Sequence, residues 1–131
     1  MKLLESVKEI VNKHPFDPID TMGYKNVYDL IRVHPEMRGE GRDFELYEKF
    51  KSNIPRGWYG FSLGTPIPKE WVDIIDEVLI LCIENDPELE IHQVKIKFGH
   101  ICFYVTSDVI EDILHIEIYL ENLLGDHSLV Y

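Results

Sequence analysis

Positive charge is what the second half of this sequence lacks. Residues 1–56 hold ten acids and ten bases, whereas residues 57–131 hold fourteen acids and only Lys69, Lys95 and Lys97, so the whole net charge of −11 lies in the second half. Such a field repels phosphate backbones and anionic lipid, which argues against direct binding to nucleic acid or to a membrane surface. Cysteine is scarce too: Cys82 and Cys102 are the only two, too few for a disulfide framework or a four-cysteine zinc site. Both read as reduced thiols, and Cys82, in a helix-like apolar stretch, as a packing residue. The apolar runs are short, as in Val78-Leu79-Ile80-Leu81-Cys82-Ile83, against the roughly 20 residues of a membrane-spanning helix. The N-terminal Met1-Lys2-Leu3-Leu4-Glu5-Ser6-Val7-Lys8-Glu9 is broken by charge and lacks the apolar core of a signal peptide, so the expected compartment is the cytoplasm.

Catalytic signatures are missing as well. There is no Gly-rich phosphate loop, no Gly-x-Ser-x-Gly elbow, and no cysteine beside a recognisable activating partner. The six histidines, His14, His34, His92, His100, His115 and His127, form neither a His-x-x-x-His nor a His-Glu-x-x-His spacing, so no metal or other cofactor is expected. Acids such as Asp73, Asp76 and Glu77, or Glu111 and Asp112, fall on helix faces, where solvation explains them more simply than acid–base work. The expectation is a protein without enzymatic activity.

What is present suits one domain over residues 1–131: hydrophobic residues make up 45% of the chain and aromatics 11%, enough for a core without staples. Leu3, Leu4, Val7, Ile10 and Val11 have amphipathic-helix spacing, ended at His14-Pro15. Residues from Phe16 to Arg42 are irregular, with Val27-Tyr28-Asp29-Leu30-Ile31 as a turn of helix or a short strand. Phe44, Leu46, Tyr47 and Phe50 suggest a second short helix, stopped near Pro55-Arg56-Gly57. Trp58-Tyr59-Gly60-Phe61-Ser62-Leu63 reads as a strand or an aromatic loop. After Thr65-Pro66-Ile67-Pro68, Trp71, Ile74, Ile75, Val78, Leu79, Leu81 and Cys82 form the apolar stripe of the best helix, with Asp73, Asp76, Glu77 and Glu84 opposite.

Residues 91–106 alternate as a hairpin. A two-residue Gly99-His100 loop predicts Phe98 opposite Ile101, Ile96 opposite Phe103 and Val94 opposite Val105 on an apolar face. The same register puts Lys97 opposite Cys102, Lys95 opposite Tyr104 and Gln93 opposite Thr106 on a polar face. Asp108 and Glu111 have capping-box spacing for a last helix, with Val109, Ile113, Ile116, Leu120, Leu123 and Leu124 inward and Gly125 as its stop. The expected class is α+β: a small antiparallel sheet built on this central hairpin, with helices packed on one face. Residues 57–124 form the helix–hairpin–helix heart, and residues 1–56 a helical and irregular N-terminal part.

The run Trp71-Val72-Asp73-Ile74-Ile75-Asp76-Glu77-Val78-Leu79, followed by Gln93-Val94-Lys95-Ile96-Lys97-Phe98-Gly99 and Phe103-Tyr104, resembles a family of small, mostly uncharacterised bacteriophage and prophage proteins. In that family a Trp-led helix precedes a strand reading roughly Gln-Val-Lys-Glu-Lys-Phe-Gly and a return strand ending in Phe-Tyr. The resemblance spans about residues 57–124. Cys102 stands where many members carry arginine, and Gly125-Asp126-His127-Ser128-Leu129-Val130-Tyr131 where many end in paired cysteines, so neither feature's role carries over. The resemblance implies a phage-type accessory protein acting in the host cytoplasm against host machinery or defences.

On the polar hairpin face, Gln93, Lys95, Lys97, Tyr104 and Thr106 offer ammonium groups, an amide, a phenol and a hydroxyl, a set that suits a phosphate and a base. Trp58, in an aromatic cluster with Tyr59, Phe61 and Trp71, adds a stacking surface. Two plain explanations compete with a site: a solvated hairpin whose lysines blunt an exposed edge, and an aromatic cluster that caps the core. The lysine pair inside an acidic half favours the site. The expected function is sequestration of a small anionic ligand, a nucleotide signal of host defence, through Gln93, Lys95, Lys97, Tyr104, Thr106 and Trp58. The alternative is an acidic inhibitor whose Asp73, Asp76, Glu77, Glu111, Asp112 and Glu117 imitate nucleic acid and dock on a basic host protein. An exposed sheet edge and an aliphatic last helix also allow a homo-oligomer.

Overall fold

The computed structural model describes residues 1–14, 42–58, 60, 61, 67, 69–97 and 100–123, and of Lys69, Glu70, Ile96, Lys97 and His100 the backbone alone. The stretch from Pro15 through Gly41, Tyr59, Ser62 to Pro66, Pro68, Phe98, Gly99 and the segment from Leu124 to Tyr131 lie outside the described residues, with the expectations that fall on them.

The described elements run α1 (Leu4–Asn12), α2 (Arg42–Phe50), a short 3-10 turn (Lys51–Asn53), β1 (Gly60–Phe61), α3 (Lys69–Asn85), β2 (Glu90–Lys97), β3 (His100–Thr106) and α4 (Ile113–Leu123). The fold is α+β. The strands lie in the order β1-β2-β3, with β2 and β3 antiparallel as the alternation predicts. β1 adds a parallel neighbour to β2, so the sheet is mixed, and α3 is the crossover that lets the chain return in the same direction. Gly60 permits this short strand: its φ is 78°, and a Cβ there would overlap the Ile54 side chain.

One hydrophobic cluster joins the elements. Val7 and Val11 of α1, Leu46 and Phe50 of α2, and Trp71, Ile74, Ile75, Val78, Leu79 and Cys82 of α3 meet Ile91, Val94, Ile101, Phe103 and Val105 of the sheet, and Ile116 and Leu120 of α4 complete it. The spacing in each helix is three or four and in β3 it is two, the geometric condition for a one-sided burial pattern. Within α2 only Leu46 and Phe50 turn inward; Phe44 and Tyr47 pair outside, ring centroids 6.5 Å apart.

The register differs from the sequence expectation by two residues. Lys97 lies opposite His100, Ile96 opposite Ile101, Lys95 opposite Cys102, Val94 opposite Phe103 and Gln93 opposite Tyr104. The connection therefore comprises residues 98 and 99 rather than Gly99 and His100. Side chains alternate with period two, so an even shift keeps every residue on its face, and the hydrophobic pattern does not distinguish the two registers. Beyond Gln93 a bulge intervenes: Ile91 pairs with Val105 and Glu90 with Thr106, leaving His92 as the extra residue.

The start of α4 also differs. Ser107, rather than an Asp108/Glu111 box, organises the turn: its Oγ accepts the N–H of Val109 at 3.1 Å and of Ile110 at 3.0 Å, and donates to Asp86 at 2.5 Å. The helix begins only at Ile113, so Val109 stays 47% exposed and Ile110 enters the core in its place. Beside β3, Glu121 of α4 accepts the edge N–H of Phe103 at 3.0 Å, which blunts the free edge of the sheet. Among the described residues no helix is long and apolar enough to cross a membrane.

Candidate functional site

With Val94, Ile101, Phe103 and Val105 facing the core, Gln93, Lys95, Cys102, Tyr104 and Thr106 face the other way. The bulge changes what joins them. Ile91 and Val94 are three apart, yet both are fully buried; in a regular strand they would point to opposite faces. The extra residue absorbs the mismatch and turns His92 outward beside Gln93. There its ring stacks on Tyr104, centroids 4.6 Å apart and 23° between planes, while its Nε2 hydrogen-bonds the Thr106 hydroxyl at 3.1 Å. His92 Nδ1 is buried without a hydrogen-bond partner.

Trp58 reaches the same face from a tight turn. The Trp58 N–H donates to the Pro55 carbonyl at 3.1 Å, and Gly57 at the third position has φ 94°, the geometry of a type II turn. The indole stands nearly perpendicular to the stacked pair, 4.8 Å and 77° from His92 and 6.0 Å and 82° from Tyr104. Both arrangements are the edge-to-face contacts aromatic quadrupoles favour. Trp58 and Tyr104 nevertheless remain 40% and 39% exposed. The aromatic run is therefore divided: Phe61 and Trp71 are buried in the core, whereas Trp58 lies on the outside of the sheet.

The structure thus brings together Trp58, Tyr104 and, through His92, Thr106. Gln93 is directly opposite Tyr104, and Lys95 sits one outward position further along β2, opposite Cys102. The side chains of Gln93 and Lys95 have no hydrogen-bond or ion-pair partner among the described residues. The backbone of Lys97 ends β2; its side chain lies outside the described residues. Sequence reasoning omitted His92 from the site. The signal was the pair of apolar residues at 91 and 94, whose odd spacing a strand accommodates only with a bulge. Arg56, in the turn that delivers Trp58, is also exposed and unpaired among the described residues.

The acidic faces differ from a bare solvated surface. Asp73 of α3 is held by Arg42 at 2.6 Å, Asp76 by Lys49 at 2.9 Å, and Glu77 by Lys13 at 2.7 Å and by His14. Bases of the charge-balanced N-terminal part thus cover acids of the other half. Glu111 pairs with the N-terminal ammonium at 3.0 Å, and the buried Asp112 carboxylate accepts backbone N–H groups of α1. Five of the six carboxylates expected to imitate nucleic acid are therefore engaged within the chain. Burial, reinforced by the charge of Asp112, pushes the Cys82 thiol up to about 12, which leaves it unreactive at neutral pH. Among the described residues no three His, Cys, Asp or Glu side chains converge as a metal site.

The arrangement offers an exposed indole and phenol for stacking, an amide for a polar edge and an ammonium for an anion. No family model, no curated protein and no solved structure matches this chain.

Proposed function

We propose that the outer face of the sheet binds a small anionic ligand, a nucleotide, and that the protein works by holding it rather than transforming it. One observation carries this reading: Trp58 and Tyr104 form a ring cluster that stays 40% and 39% exposed, beside Gln93 and Lys95, which lack partners among the described residues. A large aromatic surface left in water beside an unpaired cation is the combination that base stacking and phosphate pairing use. On the resemblance to phage proteins, the ligand is a signal of host defence and the protein an accessory that sequesters it in the host cytoplasm. Sequestration is stoichiometric and requires tight binding without turnover.

Native mass spectrometry with a panel of linear and cyclic nucleotides tests the reading. A retained adduct that disappears in Lys95→Glu/Lys97→Glu, with unchanged circular dichroism and unmodified nucleotide recovered on denaturation, supports it. Adducts that persist in the double variant place the ligand elsewhere, and recovery of a converted nucleotide refutes sequestration.

A further inference from the structure

We infer that this face accepts a single nucleobase, stacked on the side of Tyr104 that His92 leaves open, with the phosphate directed toward the hairpin end of β2. The inference rests on the nucleotide reading above and deepens it by fixing ligand size and direction.

The first argument is occupancy of the ring faces. His92 touches both Tyr104 and Thr106, two residues further along β3, so it lies over the Tyr104 face on the Thr106 side. The remaining face of Tyr104 looks along the strand toward Cys102 and, across the ladder, Lys95. Trp58 stands at 82° to Tyr104 and its ring centre is nearer His92, at 4.8 Å, than Tyr104, at 6.0 Å, so it flanks the His92 side of the stack and offers no second shelf parallel to that slot. One base extends the His92–Tyr104 stack, and a second finds no parallel aromatic partner among the described residues.

The second argument is charge along β2. At the Thr106 end, Glu88, Glu90 and Asp108 line an open cleft together with Asp86. In the other direction the outward positions read Gln93, then Lys95, then the end of the strand at Lys97. At about 3.3 Å per residue, Lys95 lies roughly 7 Å and Lys97 roughly 13 Å beyond Gln93. A phosphate at the Thr106 end would meet carboxylates; at the other end it meets ammonium. Base and phosphate are thereby ordered along the strand, and Gln93 is placed to hydrogen-bond the base or sugar between them.

Isothermal titration of the common nucleoside monophosphates, their nucleosides, dinucleoside monophosphates and inorganic phosphate against four proteins tests this. The proteins are wild type, Tyr104→Ala, Lys95→Gln and Glu90→Gln. The expected result is that Tyr104→Ala weakens monophosphates and nucleosides alike by about tenfold. Lys95→Gln should weaken monophosphates but leave nucleosides unchanged, and Glu90→Gln should leave both within about twofold. Dinucleoside monophosphates should bind no tighter than mononucleotides. Dinucleotides binding about tenfold tighter would overturn the single-base slot, and tightening by Glu90→Gln with indifference to Lys95→Gln would reverse the direction; either result leaves nucleotide binding itself standing. Absence of heat with every probe would overturn the nucleotide reading, and this inference with it.

Discussion

The carboxylate of Asp112 accepts the backbone N–H of Leu3 at 3.0 Å, across 109 residues of sequence, and that of Leu4 at 2.9 Å. Helix α1 has no capping side chain of its own at Leu3, so the residue that precedes α4 satisfies its first donors instead. Removing this acceptor leaves a buried N–H without a partner. Asp112→Ala should lower stability by about 2 kcal/mol, and Asp112→Asn, which keeps one acceptor oxygen, by about half that. Burial acts to raise the Asp112 carboxyl, but the donors from Leu3 and Leu4 outweigh it and hold it below its ordinary 3.8. Its contribution is therefore present above that pH and lost as pH falls through the lower folded value. Urea midpoints for the three proteins at neutral pH, repeated in acid, check both statements.

Glu117 has the opposite sign. Burial, and then the charge of Glu121 one turn away, push its carboxyl from the ordinary 4.5 up to about 7. Between those values the folded state keeps a proton that the unfolded state has released, so stability falls as pH rises through this window and levels off above it. Because the side chain is only partly buried, solvent screening limits the fall to about 1 kcal/mol. Glu117→Gln should abolish this slope. The comparison is of urea midpoints between about pH 5 and about pH 8, and parallel curves for variant and wild type would contradict the assignment.

The ion pairs Arg42–Asp73, Lys49–Asp76 and Lys13–Glu77 bind the N-terminal part to α3. All are at least partly solvent-exposed, so together they are worth about 1 kcal/mol. The triple variant Lys13→Gln/Arg42→Gln/Lys49→Gln should lose that amount at low ionic strength. In about 1 M salt, where screening acts over about 3 Å, it should match wild type. Thermal midpoints across a salt series decide the matter: an equally large gap at high salt would mean that packing, not charge, was lost.

Which face each strand residue occupies was legible in the sequence, because Val94, Ile101, Phe103 and Val105 repeat with the period of the backbone itself. The pairing of Lys95 with Cys102 rather than Tyr104 was not, since a two-residue slip preserves that period. The same holds for caps. Asp108 and Glu111 match a local spacing, but Ser107 is tied to Asp86, and Asp112 to Leu3, by contacts that only the tertiary fold creates. The ion pairs of Asp73, Asp76 and Glu77 were hidden for that reason: composition counts charges without saying which will meet. That Gln93, Lys95, Tyr104 and Thr106 share the outer face of the sheet followed from alternation, and the nearness of Trp58 to that face is a finding of the fold. His92 did not follow, because it leaves the alternation that identified the others.

His92 therefore carries two separable properties, an extra backbone position and a ring. The ring contributes its stack on Tyr104 and its edge contact with Trp58, each worth about 1 kcal/mol beyond burial. His92→Ala should keep the bulge and the fold, lose about 1 to 2 kcal/mol, and leave Trp58 more accessible. Since Trp71 is 1% exposed, the increase in acrylamide quenching would come from Trp58. Deleting His92 is a different perturbation. It leaves Ile91 and Val94 two apart, the spacing that strict alternation puts on one face, and makes the pairs Ile91–Val105 and Gln93–Tyr104 consecutive. Both aliphatic side chains can then stay in the core while the bulge closes into a regular ladder. The deletion should therefore keep the fold and far-ultraviolet ellipticity, with a urea midpoint close to that of His92→Ala, since both variants lose the same ring contacts. A deletion variant that unfolds at markedly lower urea than His92→Ala would show that the extra backbone position itself, and not only the ring, stabilises the strand.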